Sequence, residues 1–300
     1  MREPLTSVPN AAVHELATSK TTRLRSGTGR FNLDSLGAML FLMVCTLYFL
    51  TPFFWLVVTA TKAPRDLETT FGLWFGPHFD LLANLQRIFV IDDGIFVQWL
   101  LNTLFYAGGG ALIGTALASM TGYALSKFTF PGRSFIFSII LGAVLVPATT
   151  LALPLFLMMS SINMTNTYWS VFLPGLVSPF GVYLSRIYAT SAVPNELLEA
   201  ARVDGAGELR IFATIATRLM GPALATIFLF QLVTIWNNYF LPMIMLDNAH
   251  LFPLTVGLRN WGSPVLVVPG ALVSTFPLLI GCVLLQRYWR VGLGTGSVKG

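Results

Sequence analysis

The sequence predicts an all-α membrane protein with six transmembrane helices and both termini in the cytoplasm. Three observations support this prediction: the composition, the apolar runs and the distribution of positive charge. Apolar residues make up 55% of the chain and charged residues only 10%, and the mean hydropathy is +0.72. Because a soluble domain carries about 25% charged residues, a lipid bilayer is the solvent that suits this composition.

Six apolar runs reach the length of about 20 residues that a helix needs to cross a bilayer. They cover residues 36–60, 99–126, 134–160, 166–189, 219–246 and 265–289. Pro269 and Pro277 interrupt the last run, which is tolerated when neighbouring groups satisfy the freed carbonyls. The chain is therefore divided into a disordered cytoplasmic tail at 1–35, a six-helix domain at 36–289 and a cytoplasmic tail at 290–300.

The orientation follows from the positive charges. With the N-terminus in the cytoplasm, 14 of the 18 Lys and Arg residues lie in the inside segments. The outside segments hold only Lys62, Arg65, Arg87 and Arg259. Since cytoplasmic loops carry an excess of Lys and Arg, both termini are expected inside. The net charge of +5 does not indicate nucleic-acid binding, because no basic stripe with interleaved aromatic residues occurs.

Several chemical features are missing from the sequence. No Asp or Glu occurs from Gly94 through Asn195, whereas carriers driven by ion gradients usually place carboxylates at mid-membrane. No Gly-Lys dipeptide is present, so the chain has no P-loop, and the three histidines do not have metal-site spacing. No catalytic cluster is expected either. An ion-driven secondary carrier and a scaffold without a transport role are kept as alternatives to the function that the motifs below suggest.

Two further patterns predict local structure. Gly108, Gly109, Gly110 and Gly114 form a small-residue face in the second run, which favours close helix packing, with a transport hinge as the alternative. Residues 79–89 have the pattern of a short amphipathic helix, expected on the outer face.

The longest charged inside segment contains a second short helix, within a loop at about 190–218. Pro194 suits its first helical position, and Glu196 then lies in the first turn, where the helix dipole favours negative charge. Leu197, Leu198, Ala201 and Val203 give this helix an apolar side. Gly205 is a plausible left-handed stop, after which a helix restarts near Glu208. Read from the residues alone, this helix could equally be an interfacial connector.

The segment Glu199-Ala-Ala-Arg-Val-Asp-Gly-Ala206, followed by Phe212, Ile215 and Pro222, resembles the EAA signature of ABC importer permeases. Three other segments resemble the carbohydrate-importer branch of that family, the maltose-permease type. They are Tyr123-Ala-Leu-Ser-Lys-Phe-Thr-Phe-Pro-Gly-Arg133, Trp236-Asn-Asn-Tyr-Phe-Leu-Pro242 and Gly292-Leu-Gly-Thr-Gly-Ser-Val-Lys-Gly300. The family usually has a proline where Arg218 stands, so a less kinked start of the fifth span is expected here.

The resemblance implies a transport subunit of the bacterial or archaeal cytoplasmic membrane that is not itself an enzyme. The expected partners are a second permease that is a different chain, giving a heterodimer, an ATPase dimer that uses ATP and Mg²⁺, and an extracytoplasmic solute-binding protein. No cofactor is expected on this chain. The residues expected to couple it to the ATPase are Glu199, Ala200, Ala201, Asp204, Gly205 and Ala206.

Candidates for a solute path are polar and aromatic side chains within apolar runs. Aromatic faces stack on the C–H face of a sugar, and amides bind its hydroxyls; the alternative is that these groups bond neighbouring helices. The candidates are Gln231, Trp236, Asn237, Asn238, Ser178 and Tyr183. The sequence does not identify the solute.

Overall fold

The structure, a computed structural model, describes residues 33–294. Residues 1–32 and 295–300, which hold most of the two predicted tails, lie outside the described residues. The described chain is helical, with one isolated β-bridge between Lys62 and Phe79. In chain order the main helices are α1 Leu33–Thr61, α2 Leu81–Val90, α3 Ile95–Thr103, α4 Gly110–Lys127, α5 Arg133–Val144, α6 Ala148–Ser161, α7 Tyr168–Gly175, α8 Pro179–Ala192, α9 Asn195–Val203, α10 Glu208–Leu219, α11 Gly221–Trp236, α12 Phe240–Met245, α13 Leu254–Trp261 and α14 Pro264–Gly294.

The number of spans agrees in part with the prediction. Four helical stretches are long and apolar enough to cross a bilayer, namely Leu36–Thr61, Leu81–Lys127, Tyr168–Ala192 and Pro264–Gln286. Two bent helix pairs raise this number to six if each pair forms one span. The prolines in the last stretch do not end it, because α14 continues through both Pro269 and Pro277.

The third and fifth predicted spans are each bent, and the less kinked start expected for the fifth span is not observed. In the third, α5 and α6 meet at an angle of 106°, and α5 ends shortly before Pro147, whose ring disfavours helical geometry in the preceding residue. In the fifth, α10 and α11 meet at 85° with Arg218 in place, so this bend does not require a proline at that position. The fifth predicted span also ends at Trp236, before the separate helix α12.

The helix predicted at 79–89 is present as α2, which begins at Leu81 and buries Asn84 and Ile88. From there the chain is helical in segments as far as Lys127, with a π-helical turn at Leu104–Gly109 between α3 and α4. The rise of about 1.5 Å per residue makes the distance from Trp99 to Lys127 about 40 Å, which is close to the thickness of a bilayer with its headgroups.

Close packing along α4 is confirmed for part of the small-residue face. A Cβ on Gly114 would lie 2.8 Å from the carbonyl oxygen of Leu176, and one on Gly110 would lie 2.9 Å from Ile235 Cδ1. Further along, a Cβ on Gly122 would lie 2.7 Å from the backbone nitrogen of Arg186. Gly108 has open space instead, so its lack of a side chain is not explained by packing.

The compact unit that begins at Phe53 contains two apolar clusters near opposite ends of the α3–α4 run. The larger cluster surrounds Trp99, Tyr106 and Trp236. The smaller one surrounds Tyr123 at the end of α4 and includes Leu198 of α9. These clusters position the two regions described next.

Candidate functional site

The candidate coupling site is the segment 190–218, here called the EAA-like loop. Its helix α9 begins at Asn195, one residue later than predicted, because Pro194 has extended geometry and serves as the N-cap residue. Gly205 has a φ of +78°, a left-handed conformation that side chains rarely adopt. The chain then restarts at Glu208 as predicted. Local turn chemistry therefore defines both ends of α9.

One side chain anchors α9 to the rest of the protein. Leu198 is 1% exposed and packs in the smaller apolar cluster with Val193, Ile211 and Met220. Near the start of α9, the Lys127 ammonium donates to the carbonyl oxygen of Val193 at 2.6 Å and to Asn195 Oδ1 at 3.0 Å. The helix is thus attached to the end of α4 through its first half.

The opposite side of α9 is free to contact another surface. Among the predicted coupling residues, Glu199, Ala200, Asp204 and Gly205 are exposed. Ala201 and Ala206 are half-buried and pack against the smaller cluster, so they support the loop from inside. Neither Glu199 nor Asp204 forms an ion pair with any described residue.

The predicted apolar side of α9 is wrong in two places. Val203 is 88% exposed and Leu197 43% exposed, whereas only Leu198 is fully buried. Leu209, just after the restart, is 74% exposed. Val203 and Leu209 therefore add apolar contact area beside the motif. Sequence analysis missed Leu209, although an apolar residue next to a charged motif is a usable signal.

An ion pair closes the turn between α9 and α10. Arg202 Nε donates to Glu208 Oε1 at 2.6 Å, and Nη2 donates to Oε2 at 3.3 Å. The hydrogen bond to the carboxylate raises the pKa of the Arg202 guanidinium, which therefore stays charged. Both side chains are about two-fifths exposed, so water screens the pair.

The solute-path candidates in and near α11 have structural partners. The Gln231 amide donates to the carbonyl oxygen of Gly175 at 3.0 Å, which satisfies a carbonyl freed where α7 ends. Trp236 is buried in the larger cluster. The Asn237 amide donates to Val233 at 2.8 Å but its side chain lies at an exposed position, and Asn238 Oδ1 accepts from the Leu241 backbone N–H at 3.4 Å.

The two candidates on α8 also have local partners. Ser178 caps this helix, since its hydroxyl accepts from the Gly181 N–H at 3.2 Å. Tyr183 stacks on Phe137 with ring centroids 6.3 Å apart. No hydrogen bond or ring contact among the described residues joins two of the six candidates, and none of the six lines either of two surface cavities, one near Tyr239 and one near Leu232.

A second ordered region, not predicted from sequence, lies at the other end of the α3–α4 run. We call residues 246–254 the latched segment, because buried side chains of α3 and the π-helical turn bond to its backbone. Trp99 Nε1 donates to Ala249 at 2.8 Å, and the Asn102 amide donates to His250 at 2.8 Å and Phe252 at 3.0 Å.

Further bonds hold the same segment. Tyr106 donates to the carbonyl oxygen of Leu251 at 3.0 Å, and the Leu254 N–H donates to Thr103 Oγ1 at 2.7 Å. On the other side, Asn166 Oδ1 accepts from the backbone N–H groups of Asp247 and Asn248. The spacing of positions 99, 102, 103 and 106 places these side chains on one helix face, which is the sequence signal that was overlooked.

Comparison with known proteins fits this architecture. The family described as binding-protein-dependent transport system inner membrane component matches residues 110–288, which include α4, the EAA-like loop and most of α14. The chain belongs to this family. The resemblance to ABC importer permeases of the carbohydrate branch is thereby confirmed.

Individual relatives cover most of the chain. The arabinooligosaccharides transport system permease protein AraQ of Halalkalibacterium halodurans is 35% identical over 76% of this chain and 83% of its own length. The Bacillus subtilis protein of the same name is 31% identical over 90% of this chain and 98% of its own. The melibiose/raffinose/stachyose import permease protein MelC of Bacillus subtilis is 30% identical over 83% and 91%.

A solved structure shares the fold. It is the crystal structure of a bacterial ABC transporter involved in the import of the acidic polysaccharide alginate, and one of its chains superposes with a TM-score of 0.75. The superposition covers 85% of this chain and 96% of that chain at 24% identity. The family and this fold assign the protein to the multi-pass permease subunits of the inner membrane.

Proposed function

We propose that the protein is the membrane-spanning subunit of an ATP-driven, binding-protein-dependent importer, coupled to its ATPase through the EAA-like loop. The observation that carries this proposal is that one side of α9 is buried against its own chain and the other side is exposed. Leu198 anchors the helix to its own chain, while Glu199, Ala200 and Val203 are exposed and can contact a partner. Small alanines permit close approach, and the carboxylates of Glu199 and Asp204, which form no ion pair within residues 33–294, can pair with basic groups of an ATPase.

In this mechanism, closure of the ATPase dimer on ATP and Mg²⁺ moves α9, and the attachment of α9 to α4 transmits the movement to the spans. Lys127 and Leu198 form that attachment. The result is alternation between inward-open and outward-open states. ATP hydrolysis belongs to the partner subunit, and this chain supplies the path and the linkage.

The topology in this proposal has the EAA-like loop and both termini in the cytoplasm and the latched segment outside. The separation of about 40 Å between Trp99 and Lys127 suits one region on each membrane face. The full assembly contains a second permease, which we expect to be a different chain, and an extracytoplasmic solute-binding protein.

The proposed solute is a sugar or a sugar-like compound. This proposal is supported by the names of the relatives, which refer to arabinooligosaccharides and to melibiose, raffinose and stachyose. Of the six residues proposed for the solute path, only Asn237, which directly follows α11, is exposed and could contact a solute directly. Gln231 and Ser178 satisfy helix ends, so their contribution to the path would be indirect.

The test compares two glycines with the same backbone conformation. Gly205 and Gly132 have φ values of +78° and +83°, and both have open space around the Cβ position. An arginine therefore brings similar strain at either site, but only Gly205 lies in the EAA-like loop. We expect Gly205→Arg to abolish co-purification of a P-loop ATPase and solute uptake, while Gly132→Arg retains both.

Equal ATPase recovery with both variants would refute the docking role of the loop. Mass spectrometry of chains that co-purify in mild detergent identifies the partners in the same experiment. An ion-driven carrier, the alternative function, predicts recovery of this chain alone and uptake that persists without ATP.

A further inference from the structure

A cavity of about 480 Å³ lies beside the latched segment. Its lining includes the buried apolar side chains of Leu246, Phe252 and Val256, which are 3%, 8% and 7% exposed. Polar groups of Tyr239, Arg259 and Asn260 line the cavity as well. A volume of several hundred Å³ lined by both apolar and polar side chains is large enough for a small molecule.

Hydrogen bonds and close packing hold the backbone around this cavity. Leu246 and Phe252 belong to the latched segment, whose backbone is held by the buried side chains of α3. The Thr255 hydroxyl donates to the carbonyl oxygen of Asn238 at 2.9 Å, which ties α13 to the residues before α12. Gly257 packs directly against the Trp99 ring, so α13 is held in place from behind. A site with fixed walls loses little entropy on binding.

The charge of Arg259 is not neutralised by the part of the chain that the structure describes. Arg259 lies at an exposed position in the last turn of α13 and forms no ion pair or side-chain hydrogen bond with the described residues. The carboxylate of Asp92 accepts instead from Trp261 Nε1 at 3.1 Å. A guanidinium group at the wall of a fixed cavity is therefore available to a ligand.

We infer that this cavity binds a saccharide that carries an anionic group, a carboxylate or a phosphate, with Arg259 as the residue that selects the charge. The planar guanidinium matches either group through two parallel hydrogen bonds. The Asn260 amide binds a hydroxyl, and the Tyr239 ring stacks on the C–H face. The saccharide class and the outer location rest on the proposed function, whereas the selection of charge rests on the cavity itself.

The experiment measures binding to the full chain, with its accompanying subunits, in lipid nanodiscs. Isothermal titration compares D-galacturonate and D-galactose 6-phosphate with neutral D-galactose. Because paired hydrogen bonds between a guanidinium and an anionic group are stronger than bonds to a neutral hydroxyl, we expect at least one anionic sugar to bind about tenfold more tightly than galactose. Arg259→Gln should abolish this preference, and Arg259→Lys, which keeps the charge but not the fork, should retain part of it.

Arg87→Gln is the matched control, because Arg87 is an exposed arginine on α2 outside the cavity. It should leave the preference intact. Equal affinities for all three sugars, a preference that survives Arg259→Gln, or no binding of any sugar would overturn the inference. The inference would also fail if Arg259→Gln lost capture of the solute-binding protein while the sugar preference stayed unchanged, since Arg259 would then belong to a protein-docking surface. None of these outcomes depends on ATPase recovery, so the importer proposal is tested separately.

Discussion

The latched segment and the EAA-like loop lie near opposite ends of the α3–α4 run and are held in different ways. Side chains of Trp99, Asn102 and Tyr106, buried in the protein, bond to the backbone of the latched segment. The EAA-like loop depends on one buried leucine, Leu198, on Lys127 and on an exposed ion pair.

The difference separates residues that stabilise this chain from residues that serve a partner. Hydrogen bonds in a buried, low-dielectric region are costly to break, so the latched segment resists movement. The exposed residues of α9 contribute little to the stability of their own chain. The exposed side of α9 can therefore move when a partner binds it, provided that the contacts of Leu198 and Lys127 remain intact.

The largest effect is expected from Asn102→Leu in the latched region. Leucine fills a similar volume but leaves the carbonyl groups of His250 and Phe252 without their donors. Unsatisfied buried groups cost about 1–3 kcal/mol each, so the free energy of unfolding should fall by about 3 kcal/mol. Thermal unfolding in detergent measures the loss.

Gln86→Leu is the control for this substitution, because Gln86 is an exposed amide on α2 that forms no side-chain hydrogen bond with the described residues. Its melting temperature should remain near that of the parent protein. If both variants unfold at the temperature of the parent protein, the hydrogen bonds to the latched segment do not stabilise the protein. The proposed difference in stability between the two regions would then be wrong.

A smaller, local effect is expected from Lys127→Met at the EAA-like loop. The change removes the hydrogen bonds to Val193 and Asn195 but retains the length of the side chain. We expect about 1 kcal/mol of local destabilisation, seen as roughly fivefold faster hydrogen exchange of the amides of α9. Arg210→Met, at an exposed position on α10, should leave this exchange unchanged. Unaltered exchange in the Lys127 variant would show that Leu198 alone holds the helix.

The sequence predicted the EAA-like loop more accurately than the latched segment, and the reason is the range of the interactions. The ends of α9 depend on Pro194, Gly205 and Glu208, whose preferences act within a few residues. The Asn102 amide donates to the backbone about 150 positions later in the chain. No pattern in the residues around Asn102 predicts which backbone groups it bonds. The bends after α5 and α10 were missed for a related reason, since apolar content identifies a span but not its direction.

The smallest effect is expected from Arg202→Gln, which breaks the ion pair with Glu208. The pair has good geometry, yet both side chains are about two-fifths exposed. Exposed pairs contribute about 0.2–1 kcal/mol, so we expect a loss of no more than about 0.5 kcal/mol, and none in 1 M salt. Thermal unfolding at low and high salt measures both values. A loss as large as that of Asn102→Leu would mean that the turn between α9 and α10 is itself a stabilising element, and the EAA-like loop would then resemble the latched segment.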